Sequence, residues 1–207
     1  MIADDFTLFA GARYDKHNYT DWFFSPRLSL VYGYSDNQTW KFLYNKSVKR
    51  AGEFDLRNAY LDGGRALEET LESVEFSYTH TQGEAFTYQA SVFAQEIEFW
   101  SFSSPVIDQS AELLIKGFNQ PVGIVSVWGG EFEMSYKLDA HNLSLSHSYS
   151  KLIDIKMPND SQYITAQAYG YGDDLNTWSN HISKVFYRWQ FQPTWMFTTS
   201  VRIYWGF

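Results

Sequence analysis

The chain has 207 residues, enough for one ordinary domain, and its formal net charge of -8 at pH 7 argues against a nucleic-acid partner. Cysteine is absent, which excludes disulfide bonds, thiolate chemistry and cysteine-based zinc sites. No apolar run approaches the roughly 18–20 residues of a membrane-spanning helix, so any membrane-spanning part must consist of strands.

Nine segments are predicted to be β-strands, because apolar and polar residues alternate along most of them. The fourth has the clearest period of two, with Val74, Phe76 and Tyr78 on one face and Ser73, Glu75, Ser77 and Thr79 on the other. In chain order the predicted strands cover residues 6–14, 27–34, 39–47, 73–79, 86–92, 128–138, 142–149, 184–191 and 195–207.

The connections between these strands alternate strictly between long and short. Long connections fall near 15–23, 46–70, 101–121 and 155–176, and short ones near 35–38, 80–84, 138–141 and 191–194. Short turns at one end and long loops at the other are typical of a bacterial outer-membrane β-barrel. The predicted fold is therefore all-β, an antiparallel transmembrane barrel wall of about nine strands. Its aromatic residues, 19% of the chain, would form girdles at both lipid–water interfaces.

The predicted polar face carries ten charged side chains. Facing lipid, each would cost up to a few kcal/mol near the membrane midplane, so we expect them to point into the barrel. A soluble β-sandwich would instead turn them to water and bury the aromatic face between two sheets. Periodicity alone does not separate these two folds, but the sorted loop lengths favour the barrel. The ten residues are Arg13, Arg27, Lys41, Glu75, Glu131, Glu133, Lys137, Lys184, Arg188 and Arg202.

The strand count predicts that the chain is a fragment. The first strand precedes a long loop, so every odd-numbered strand runs outward and the ninth ends outside the cell, whereas complete bacterial barrels have an even number of strands. If one short strand within 101–127 escapes the pattern, the aromatic end at Phe207 becomes a true C-terminus. The start, Met1 to Asp5, has no signal-peptide pattern, so we expect a removed leader or a longer protein upstream.

Two stretches resemble TonB-dependent outer-membrane receptors. Residues 10–17 (AGARYDKH) and 24–32 (FSPRLSLVY) are similar to a recurring barrel hairpin of that family. Residues 44–51 (YNKSVKRA), 68–78 (EETLESVEFSY) and 130–133 (GEFE) resemble further barrel segments. The family usually has Pro at the positions of Gly52 and Glu68, a departure that concerns loop conformation.

The resemblance implies that residues 1–207 are part of the barrel domain of a receptor in the bacterial outer membrane. Such receptors have a 22-stranded barrel, a plug domain inside it, and a segment that contacts the TonB complex; neither plug nor contact segment is visible in this chain. The implied function is TonB-dependent uptake of a scarce nutrient: siderophore-bound iron, haem, cobalamin or carbohydrate. The implied partners are outer-membrane lipid, lipopolysaccharide, the plug domain, the TonB complex and a small-molecule ligand at the extracellular loops.

The sequence predicts no catalytic residue, no metal site and no cofactor, and the protein is not expected to be an enzyme. The five histidines show no metal-ligand spacing, and the acidic residues Asp154, Asp160, Asp173 and Asp174 match no calcium loop. Ligand contacts are expected in the loops, where no single residue can be selected. The loop candidates are Tyr60, Arg65, Trp100, Phe102, Tyr163, Tyr169, Tyr171 and Trp178.

Two alternatives stay open at this point. One is a complete small barrel of about ten strands that acts as an adhesin or surface enzyme. The other is a soluble β-sandwich that binds carbohydrate through its aromatic residues.

The barrel prediction has a direct test in the isolated 207-residue chain. Both edge strands would expose unpaired backbone groups, which lipid does not tolerate, so we expect the isolated chain to aggregate or to fail to insert. The measurement is its recovery from detergent after refolding. A stable monomer whose gel mobility changes on heating would contradict the expectation.

Overall fold

The computed structural model describes residues 5–50, 52, 53, 56, 57, 61, 68–101, 120–156 and 179–206. Most of these residues form one antiparallel sheet of nine strands, in the order in which they occur along the chain. The strands are β1 Phe6–Asp15, β2 Phe23–Ser35, β3 Gln38–Arg50, β4 Glu68–Gln82, β5 Phe86–Ser101, β6 Gln120–Leu138, β7 His141–Lys156, β8 His181–Gln192 and β9 Trp195–Trp205. The predicted number of strands is confirmed, and the single sheet differs from the two packed sheets of a sandwich. No helix in the described part of the chain is long and apolar enough to cross a membrane.

The connection lengths alternate as predicted. Short turns at 36–37, 83–85, 139–140 and 193–194 join the strands at one end of the sheet, and the connections at the other end span 16–22, 51–67, 102–119 and 157–180. Two of the short turns contain residues in the left-handed region, Gly83 at φ 60° and Asp139 at φ 46°. Glycine and aspartate adopt this conformation at lower cost than most residues, which lets the chain reverse within two or three residues.

The burial pattern is the reverse of that in a soluble protein. On β4 and β5, Phe76 and Val92 keep 45% and 57% of their surface exposed, whereas Ser77 and Ser91 keep 3% and 8%. Across the two strands, Phe76 is directly opposite Val92, and Ser77 is directly opposite Ser91. The sheet therefore presents its apolar face outward and covers its small polar residues, as expected for a barrel wall in lipid.

Several strands are longer than the sequence predicted. The alternation predicts β6 from residue 128 and β7 to residue 149, but the sheet extends them to Gln120 and Lys156, at the long-loop end. About nine to eleven residues suffice to cross the hydrocarbon. The added residues continue the backbone ladder beyond that length, where the outer face need not be apolar and the alternation fades.

A glycine in β6 permits a close approach between three strands. A Cβ atom at Gly129 would overlap the carbonyl oxygen of Tyr149 on one neighbouring strand and the ring of Phe93 on the other. Phe93 and Gly129 are directly opposite in the register, so the aromatic ring lies over the position where a side chain is missing. A glycine within a strand can serve either a positive φ or a close approach of neighbouring atoms, and at Gly129 the structure shows the close approach.

We expect Gly129→Ala to destabilise the sheet by about 1–3 kcal/mol, the usual cost of added volume in a packed site. The measurement is the urea midpoint of the intact receptor in lipid vesicles. Gly11→Ala is the matched control, because a Cβ atom there meets nothing within 4 Å. Equal midpoints for the two variants would show that the close approach at Gly129 is unimportant.

The orientation of the two faces is tested on a single strand. Val92→Arg places a charge on the outward face of β5, and we expect a loss of about 2–4 kcal/mol if that position is near the bilayer midplane. Gln95→Arg places the same charge on the opposite face and should cost far less. The urea midpoints of both variants are compared, and a larger loss for Gln95→Arg would reverse the assignment of the faces.

Candidate functional site

The ten charged residues of the predicted polar face all lie on one face of the sheet. The register connects them in rows. The row with the most charges includes Gln89, Glu133, Ser146, Lys184 and Arg202 on five consecutive strands. Side chains directly opposite each other in neighbouring strands lie on the same face. The prediction that these charges share a face is therefore confirmed, and this face is the candidate functional surface.

Short hydroxyl side chains form the floor of this face along β7. Ser144, Ser146, Ser148 and Ser150 occupy alternate positions on the strand, and Ser135 of β6 is directly opposite Ser144. A hollow of about 430 Å³ lies over part of this floor, with Glu133 and Lys184 among its lining residues. Because the floor is made of short side chains, another molecule could approach the wall closely and hydrogen-bond to it.

The ion pairs in the described part of the chain are near the long-loop end. Lys49 Nζ is 2.6 Å from Glu69 Oε2, Lys46 Nζ is 3.5 Å from Glu72 Oε2, and Arg13 pairs with Asp15. The cations of β8 and β9 form no ion pair within the described residues. Arg202 instead donates a hydrogen bond from Nη1 to Tyr204 Oη at 3.0 Å.

The outward face carries two bands of aromatic side chains. One is near the short turns and the other is near the long loops. On β8 the bands are about eight residues apart, at Trp189 and His181, which corresponds to roughly 27 Å along the strand. Because barrel strands are tilted by about 35–45°, this is a separation of roughly 20 Å along the membrane normal. This height is close to the apolar band of about 25 Å in membrane barrels. The first band includes Tyr32, Trp40, Tyr78, Tyr88, Tyr136, Tyr187 and Trp189, and the second Tyr14, Trp22, Phe24, Tyr44, Trp128, Tyr149, His181 and Trp205.

Four of the five histidines belong to this aromatic outer face. His181 stacks on Trp205 with ring centroids 3.8 Å apart and planes inclined by 4°. Its Nδ1 is 3.4 Å from Nε2 of His147, whose Nδ1 is 2.8 Å from Ser183 Oγ. His141 Nδ1 is likewise 2.8 Å from Tyr187 Oη, within hydrogen-bond distance. His80 packs 5.3 Å from Tyr88. These four histidines are therefore partly polar members of the aromatic bands. Among the described residues, no group of three or more His, Cys, Asp or Glu side chains could hold a metal ion.

The loop residues proposed for ligand binding lie outside the described parts of the chain, except for Trp100, whose backbone belongs to β5. Of the four acidic residues considered for calcium, Asp154 is in β7 and the others lie outside the described residues. The serine floor and the contact between His147 and His181 were not identified from the sequence. The alternate serines of β7 were a readable signal for the floor, whereas the histidine contact depends on the register between β7 and β8.

Three solved structures are similar to this sheet. The alcaligin outer-membrane receptor FauA from Bordetella pertussis aligns with 100% of this chain and 36% of its own, at 14% identity and a TM-score of 0.64. Two variants of the FrpB iron transporter from Neisseria meningitidis, F3-3 and F5-1, each align with 91% of this chain, at 16% identity and TM-scores of 0.60 and 0.61. The chain spans 28% and 29% of those two structures, so it corresponds to about a third of each relative. At these identities the similarity concerns the fold.

A comparison with curated proteins gave no match. The family comparison did: residues 2–207 match the sequence model described as TonB dependent receptor-like, beta-barrel. Nearly the whole chain is covered, and the predicted resemblance is confirmed. The chain therefore belongs to the TonB-dependent receptor family of the bacterial outer membrane, whose members are receptors and transporters and not enzymes.

Proposed function

We propose that this chain is part of the barrel wall of an outer-membrane receptor that imports a scarce nutrient by TonB-dependent uptake. The observation that carries the proposal is the match of residues 2–207 to the receptor barrel family. In this proposal residues 1–207 are one part of the barrel domain, and a plug domain and the TonB-contacting segment belong to the rest of the receptor.

The polar face supports a transport role. Its charges and serines line one side of a sheet whose other side is apolar and aromatic, so a closed barrel built from such strands would have a polar interior. A polar interior can hold a plug or let a hydrated substrate pass, whereas an apolar one would do neither. The wall itself contributes no covalent chemistry to the process.

Iron bound to a siderophore is the first substrate class to test. The similar solved structures are described as an iron transporter and as a receptor for alcaligin. Haem, cobalamin and carbohydrate are the other classes in the proposal. The ligand would first meet the extracellular loops, and the outer aromatic band would contact lipopolysaccharide.

The test is uptake of labelled nutrients by the source bacterium and by a strain from which the gene is deleted. We expect the deletion to lower uptake of one nutrient class at least tenfold, and plasmid-borne receptor to restore it. A protonophore should abolish the restored uptake, because energy from the inner membrane is required. Unchanged uptake of all four classes in the deletion strain would overturn the proposal.

A further inference from the structure

The register of the sheet brings two histidines together on the outward face. His147 of β7 is directly opposite Ser183 of β8, and His181 is directly opposite Tyr149, so the two histidines are diagonal neighbours. Nε2 of His147 is 3.4 Å from Nδ1 of His181, and the two ring planes are inclined by 33°. Two imidazole nitrogens therefore meet across neighbouring strands.

The distance between these nitrogens suits a tetrahedral metal ion. Zinc binds histidine nitrogen at about 2.0–2.1 Å, so two such ligands at a tetrahedral angle lie roughly 3.3–3.4 Å apart. Ligands at right angles, as in square-planar copper sites, would lie only about 2.8–3.0 Å apart. The observed 3.4 Å therefore matches the tetrahedral arrangement. Without a metal ion, the same distance permits one N–H···N hydrogen bond between the rings.

A hydrogen bond and a ring stack orient the two imidazoles. Nδ1 of His147 is 2.8 Å from Ser183 Oγ. When the Nδ1–H group donates to this oxygen, the lone pair of Nε2 is left for a metal ion, and histidines that bind metals commonly have such an oxygen partner. The ring of Trp205 lies parallel to that of His181 at 3.8 Å and holds it in place. His181 needs only to carry its proton on Nε2 for its Nδ1 to be the second ligand.

The surroundings of the pair favour a metal ion that prefers nitrogen ligands. The four residues directly opposite the two histidines, Phe132, Tyr149, Ser183 and Trp205, carry no charge. Calcium and magnesium ions require oxygen ligands, whereas imidazole suits zinc and related transition-metal ions. Both histidines are half-buried, so an ion can reach them from the lipid–water interface. The pair provides two ligands, and water would fill the two remaining positions of a tetrahedral ion.

We propose that His147 and His181 form a two-ligand site for Zn²⁺, or for a related divalent transition-metal ion in tetrahedral geometry, on the outer surface of the receptor. The site lies in the aromatic band near the long loops, on the face of the wall turned away from the barrel interior. A bound ion connects β7 to β8 and, because it binds only the folded sheet, stabilises it. The site is independent of the proposed transport function.

The first test uses the intact receptor, purified in detergent and freed of metal with a chelator. Diethyl pyrocarbonate acylates imidazole nitrogens that are not bound to a metal, and mass spectrometry identifies the modified histidines. We expect added Zn²⁺ to suppress the modification of His181 and to leave that of His141 unchanged, because His141 is bonded to Tyr187 and not to a second histidine. Mg²⁺ should protect neither. Equal modification of His181 with and without Zn²⁺ would overturn the proposal.

The second test compares the Zn²⁺ affinity of receptor variants by isothermal titration calorimetry. His147→Gln and His181→Gln each remove one ligand, and Ser183→Ala removes the oxygen partner of His147 while keeping both ligands. We expect each of the three to lower the affinity by about tenfold or more. His141→Gln is the matched control and should bind Zn²⁺ as the unmodified receptor does. Gel mobility before and after heating shows whether each variant is folded. The same affinity in all four folded variants would contradict the proposal.

The geometry of the site is tested with Co²⁺ in place of Zn²⁺. Tetrahedral Co²⁺ absorbs visible light much more strongly than six-coordinate Co²⁺. We expect strong visible bands when Co²⁺ is added to the metal-free receptor, and their loss in His181→Gln. Weak absorption, or strong bands that persist in His181→Gln, would overturn the assignment of a tetrahedral site to this pair.

Discussion

The structure depends on the pairing of backbone groups between neighbouring strands. The hydrocarbon of a membrane contains no water that could hydrogen-bond to a free N–H or C=O, so each strand must obtain its partners from the strands beside it. Consecutive strands, paired antiparallel in chain order, provide these partners. The ladder between β5 and β6 shows the extent, since it runs from the pair of Phe86 and Tyr136 to the pair of Ser101 and Gln120. Once this ladder exists, the period of two along each strand sorts every side chain to one face or the other.

This sorting separates two kinds of chemistry. The outward face is apolar and aromatic, and several of its polar atoms bond to one another, as His147 does to Ser183. This explains how histidines are accommodated on a face turned to lipid: ring stacking and local hydrogen bonds reduce the cost of burying their nitrogens. The inward face carries the charged side chains, of which Lys137 and Arg188, near the short turns, form no ion pair with any residue that the structure describes.

The small residues have a structural role that complements the charged ones. Gly129 allows the backbone of β7 and the ring of Phe93 to approach β6 closely. The serine side chains of β7 are short, so they leave space above the inner face of the sheet. A barrel interior filled by long side chains would leave no room for a domain or a substrate. In this wall long charged side chains lie beside short ones in the same rows, as Lys184 lies beside Ser146.

The sequence by itself determined the fold class, the number of strands, the sorting of the loops and the face on which ten charges lie. These features follow from local rules, because a strand's period and a turn's length are written in consecutive residues. Only the tertiary structure decided the register. The register places Lys184 opposite Arg202, brings His147 into contact with His181 and creates the close approach at Gly129. A shift of one residue between two strands would leave each strand's own alternation unchanged while replacing every cross-strand neighbour. The strand ends beyond the membrane were also undetermined, since no lipid imposes alternation there. Nor could the sequence select ligand residues, because loop contacts depend on how distant segments come together.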